Sequence, residues 1–75
     1  KLSYKDQRDY ELLPARIEEL DAMIARGETA LADPGLYSRD PAKFAQITGA
    51  IAQCRAEKEA AEERWLELAE AVEAL

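Results

Sequence analysis

The sequence predicts an all-α fold, an antiparallel two-helix coiled-coil hairpin whose first helix is perturbed near Pro14. Three observations carry that expectation. Apolar positions run Phe44, Ile47, Ile51, Cys54, Lys58, Ala61, Trp65, Leu68, Val72, Leu75 in alternating steps of three and four residues, with only Lys58 out of character. An earlier stripe, Tyr10, Leu13, Ile17, Leu20, Ile24, Gly27, Leu31, keeps the same alternation. Between the stripes lies Asp33-Pro34-Gly35, a helix stop and a reversal. A spacing that averages about 3.5 residues makes a narrow seam along one side of a helix, and a narrow seam needs a second helix to cover it.

The expected elements are a first helix over about 4–32, a turn over 33–40 and a second helix over about 41–75, forming a single domain. Ser3 is placed to cap the first helix, with Asp6 three residues on as a loose capping box. Pro14 has no N–H and its ring crowds the carbonyl of Tyr10, so a kink, a tightened turn or a short break is expected near Glu11–Leu13. The stripe resumes in phase beyond it. In the turn, Leu36 and Tyr37 are the bulky residues; they either plug the open end of the hairpin or form an aromatic binding tip beside Arg39 and Lys43. Asp40 before Pro41 marks the second helix start, because aspartate accepts from free first-turn N–H groups and proline costs nothing at the first helical position. At about 1.5 Å per residue the second helix makes a rod of roughly 50 Å.

Two offsets of the stripes suit a turn of this length. One sets Gly27 beside Phe44, Leu20 beside Ile51, Leu13 beside Lys58 and Tyr10 beside Ala61; the other sets Gly27 beside Ile51 and Leu13 beside Trp65. Small opposite large favours the first. In that register Lys58 lies near the Pro14 disruption. Its ammonium either donates to the freed Tyr10 carbonyl and fixes the alignment, or packs its stem and reaches a nearby Glu.

A chain of 75 residues with 48% hydrophobic and 35% charged content has room for a seam but not for a thick core enclosing an active site. There is no His, no cysteine pair, no glycine-rich phosphate loop and no Ser beside a base, so no catalytic residue and no cofactor site is assigned within this chain. The carboxylates, Glu62 and Glu63 among them, sit on exposed faces where metal chelation is weak and unselective, so no metal site is assigned either. Cys54, the single cysteine, reads as a small seam residue in a reduced, cytoplasmic setting. No apolar run approaches the roughly 20 residues needed to span a bilayer, so no membrane partner is expected. The opening Lys-Leu-Ser-Tyr, without Met, is expected of a piece of a longer chain.

Sixteen acids against ten bases give a net charge of −6, which opposes a general affinity for polyanions. The charge is unevenly spread. Residues 57–75 carry seven acids against Lys58 and Arg64, a solvated acidic face. Two basic spots remain where a phosphate backbone fits: Lys1, Lys5 and Arg8 at the base, and Arg26, Arg39 and Lys43 near the turn. These six are the nucleic-acid candidates.

The opening KLSYKDQRDYELLPARIEELDAMI, the DPGLYSRDPAKF turn and the AEERWLELAEAVE segment together resemble the C-terminal coiled-coil domain of ABC-F proteins, twin-cassette ATPases, and especially their Uup branch. The likeness covers essentially the whole chain, with three motifs in the right order. It implies a domain following the second of two cassettes that bind and hydrolyse ATP with Mg, cassettes whose own motifs lie outside this chain. It further implies DNA binding, as in the Uup branch, or contact with ribosomal RNA, as in the wider family. A structural arm that positions the cassettes or docks a protein is the alternative.

Overall fold

The chain, described over residues 1–75 by a computed structural model, folds into two long helices joined by a four-residue one. Helix α1 spans Tyr4–Leu31, α2 spans Leu36–Arg39 and α3 spans Pro41–Glu73, and no strand is present. The two long helices pack against each other as a hairpin with extents of 55 × 15 × 15 Å. That shape is a post one helix pair thick.

The ends of the helices follow local chemistry. The Ser3 hydroxyl accepts from the Asp6 N–H at 3.1 Å and so caps α1. Asp40 caps α3 by accepting from the Lys43 N–H at 3.1 Å, with Pro41 at the first helical position. Helix α1 stops where Asp33 precedes Pro34. The Asp33 carboxylate then accepts from the Gly35 N–H at 3.0 Å and from the Arg39 guanidinium at 2.7 Å, which closes α2 as a compact loop. Gly35 keeps an ordinary helical φ of −90°, and no residue in the chain has positive φ. The reversal therefore relies on Asp33 and Pro34 rather than on glycine's conformational freedom.

Pro14 does not break the helix. Helix α1 continues through it as α-helix from Tyr4 to Leu31, without the interruption or tightened turn expected near Glu11–Leu13. Pro14 is exposed, and packing of the seam on both sides of it offsets the local cost of about 3 kcal/mol.

The core is the seam. The buried residues are Leu20, Ile24, Leu36, Ile51, Ala61 and Leu68, and all but Leu36 belong to the two stripes. Leu36 of the turn helix is 5% exposed and plugs the closed end, whereas Tyr37 is 63% exposed and meets Phe44 edge to face, centroids 5.2 Å apart. Only the first of the two bulky turn residues is a plug.

The register departs from the offset favoured by volume matching: near the turn it is the second offset, and toward the base it lies between the two, with Tyr10 rather than Leu13 on Trp65. Gly27 faces Ile51, not Phe44: a Cβ placed on Gly27 would stand 2.7 Å from Ile51 Cγ1. Tyr10 stacks on Trp65 with ring centroids 5.7 Å apart and planes 9° from parallel, instead of lying beside Ala61. The physical reason lies in the turn. Tyr37 leans on Phe44, so α2 takes the first layer of α3 and the α1 stripe meets α3 from Ile47 onward. Glycine still faces a large residue, one heptad further along.

Candidate nucleic-acid interface

Charged side chains beside the seam become paired once the register is set. Arg16 grips Glu57 with both carboxylate oxygens engaged, at 2.6 and 2.9 Å, and Arg55 reaches Glu28 at 2.7 Å. Lys58 meets Asp21 at 2.6 Å, and Arg64 meets Asp6 at 2.6 Å and Asp9 at 3.4 Å. Lys58 therefore makes neither the expected bond to the Tyr10 carbonyl nor a pair with a glutamate. In the observed register it lies about two turns from Tyr10 and level with Asp21, so its stem packs while its head leaves the seam sideways.

These pairs tune the groups that make them. The Arg64 guanidinium holds the Asp6 carboxyl below the usual aspartate range, with the Ser3 hydroxyl adding to it. Asp9 is lowered first by Lys5 and then by Arg64, Asp33 by Arg39, and Glu57 by Arg16. The Asp21 carboxylate raises the Lys58 ammonium.

The six sequence candidates divide between the two ends of a 55 Å rod and do not form one site. At the base, Lys1 precedes α1, Lys5 pairs with Asp9 at 2.8 Å, and Arg8 stands exposed on the outer face of α1. At the turn end, Arg39 is bound by Asp33 at 2.7 Å, while Arg26 and Lys43 are exposed and carry no ion pair. Thus Lys1, Arg8, Arg26 and Lys43 are the cations whose side chains make no ion pair in the fold. The sequence reading missed the clamp residues Arg16, Arg55 and Arg64 as paired groups. Their signal is a position flanking the seam, legible only after the register is known.

Charge is polarised along the rod. Residues 21–56 hold Arg26, Arg39, Lys43 and Arg55 against Asp21, Glu28, Asp33 and Asp40, a neutral balance, and α3 carries no acid before Glu57. The whole net charge of −6 therefore falls on the base half. Arg26, Lys43 and the exposed ring of Tyr37 stand at the neutral end, beside a turn stiffened by the Asp33–Arg39 pair.

No group of carboxylate, cysteine or histidine side chains in the fold is arranged to hold a metal ion, and no helix is long and apolar enough to cross a membrane. What the geometry defines is an antiparallel coiled-coil hairpin domain, a surface-bearing arm with two unlike ends. Comparison with known proteins gives it a family. Residues 1–70 match the family described as the ABC transporter C-terminal domain, and the chain belongs to that family. It is 53% identical over all 75 residues to the ATP-binding protein Uup of Caulobacter vibrioides, of which it spans 12%. It is 40% identical over 70 residues, 93% of the chain, to an ATP-binding protein Uup-like of Haemophilus influenzae, of which the match covers 15%. The match to the ATP-binding protein Uup of Escherichia coli is 37% over 65 residues, 87% of the chain and 10% of that protein. The chain thus spans about an eighth of the relatives' length. No solved structure matches it.

Proposed function

We propose that this domain is the accessory arm of an ABC-family ATPase and that it contacts nucleic acid, DNA foremost, through its turn end. The cassettes that bind ATP and Mg and hydrolyse the nucleotide belong to the rest of such a protein, which works in the cytoplasm. The observation that carries the reading is the charge polarity of the rod. A polyanion is repelled by the acidic base but meets a neutral end at which Arg26 and Lys43 are unpaired and Tyr37 offers an exposed ring. Stacking on Tyr37 with two or three phosphate contacts gives weak, salt-sensitive affinity, and the cassettes supply the remainder. Ribosomal RNA presents the same phosphates and unstacked bases, and is the second target of this surface.

Fluorescence anisotropy of labelled duplex DNA with a single-stranded overhang, titrated with the domain at increasing salt, tests it. Binding that weakens with a log–log slope of about −2 to −3 and is largely lost in Lys43→Glu and Tyr37→Ala supports the contact. Absence of binding at low salt, or binding indifferent to both changes, points instead to a structural arm. Tyr4, Leu12 and Leu75, large apolar side chains left exposed at the base, favour that second reading.

A further inference from the structure

The base of the hairpin carries apolar surface that the fold itself leaves uncovered. Tyr4 is 82% exposed and Leu12 is 53% exposed, and with Arg8 they line one shallow cleft on the outer face of α1. Leu2, Tyr10, Val72 and Leu75 line a second cleft where the two helix ends meet. Gln7 and Glu11 border both clefts, so the two are neighbours separated by a narrow polar strip. Elsewhere the large exposed apolar side chains, Met23, Tyr37 and Leu66, line neither cleft. Three large exposed apolar side chains, Tyr4, Leu12 and Leu75, gathered at one end of a chain this acidic, mark a place where another surface can dock.

The patch lies at Lys1, where any preceding polypeptide enters. The family is a C-terminal domain and the chain matches 10% to 15% of its relatives, so in such a protein most of the polypeptide lies ahead of this point. A segment tethered within a few residues of a patch is present at a high effective concentration and outcompetes free partners for it. We propose that the stretch of the parent chain immediately upstream of Lys1 folds over Tyr4, Leu12 and the Val72–Leu75 end, and so fixes the hairpin as a rigid arm on the ATP-binding part. The patch is also the hairpin's acidic half, so the same docking leaves the neutral turn end pointing away. The inference rests on family membership and not on nucleic-acid contact, and a failure of one leaves the other standing.

The test uses the full-length parent. With Tyr4 replaced by the photocrosslinker p-benzoylphenylalanine, irradiation yields a crosslink within one chain to the upstream stretch. In Tyr4→Glu combined with Leu12→Glu, amide exchange in that stretch accelerates by about tenfold or more, while exchange in the Leu20–Ile24 and Ile51–Ala61 seam is unchanged. Both substituted side chains are exposed, and the crosslinking arm needs no destabilising change at all. Crosslinks between two chains, accompanied by a dimer in sedimentation, would assign the patch to a second copy and overturn the proposal. So would the absence of any upstream crosslink together with unaltered exchange.

Discussion

Gly27 packs directly against Ile51 across the two long helices: a methyl added at Gly27 would lie 2.7 Å from Ile51 Cγ1 and 2.9 Å from its Cδ1. The glycine is helical, and its contribution is space. Gly49, by contrast, has nothing within 4 Å of the same added methyl. The two glycines therefore respond oppositely to alanine. Gly49→Ala raises stability by about 0.5–1 kcal/mol, the ordinary gain in helix propensity. Gly27→Ala has the same propensity gain, but overpacking of about 1–3 kcal/mol exceeds it, leaving a net loss of about 1 kcal/mol. Urea unfolding followed by circular dichroism measures both, and a stabilised Gly27→Ala would show that the helices are not in contact there.

The Tyr10–Trp65 stack closes the seam toward the base, with centroids 5.7 Å apart. A double-mutant cycle with Tyr10→Leu and Trp65→Leu gives a coupling of about 0.5–1.5 kcal/mol beyond the two single losses. Independent effects of the two substitutions would place the rings apart in solution and contradict the register at the base of the hairpin.

Acid weakens the hairpin through its clamps. Asp6, Asp9, Asp33 and Glu57 all have lowered pKa in the fold, so they hold protons less tightly folded than unfolded. The stability they contribute is fully present above the ordinary values of 3.8 for aspartate and 4.5 for glutamate, and it disappears as pH falls through the lowered folded values. Carboxyl-carbon NMR titration resolves the partners. In Arg64→Gln the Asp6 midpoint rises toward the ordinary value, whereas Asp9 moves less because Lys5 remains its main cation. Equal shifts would mean that Arg64 serves both acids alike.

Lys58 is the polar residue of the α3 seam, and its pair with Asp21 is open to solvent, with 30% and 54% of the side chains exposed. Such pairs are worth little, and methionine fills the same volume without desolvating a charge. Lys58→Met leaves the register intact, as judged by the Tyr10–Trp65 stack, and raises stability by about 0–1 kcal/mol. A change of register in that variant would restore to Lys58 the aligning role that the sequence suggested.

The parts of the fold legible in sequence are those set by neighbours along the chain. Ser3, Asp40 and Pro41 act where local capping rules put them, Leu36 is the plug, and the two stripes become the seam. What escaped depends on contacts across the hairpin. Volume matching placed Gly27 against a large residue, correctly, but chose Phe44 over Ile51 because nothing local reveals that Tyr37 leans on Phe44. The interface followed the same limit. Charge distribution singled out six of the ten bases; the hold of Asp9 on Lys5 was legible as an i,i+4 spacing on one helix, whereas the hold of Asp33 on Arg39 needed the turn, and Lys1, Arg8, Arg26 and Lys43 make no ion pair.

The proposal that the turn end meets nucleic acid is tested most directly by reversing charge at one end of the rod at a time. Labelled duplex is titrated with the domain carrying Arg26→Glu and Lys43→Glu, beside the domain carrying Lys1→Glu and Arg8→Glu, at the same low salt. The polarity of the rod predicts a roughly tenfold or greater loss of affinity for the first pair and less than about a twofold change for the second. Equal losses, or a loss confined to the base pair, would contradict it.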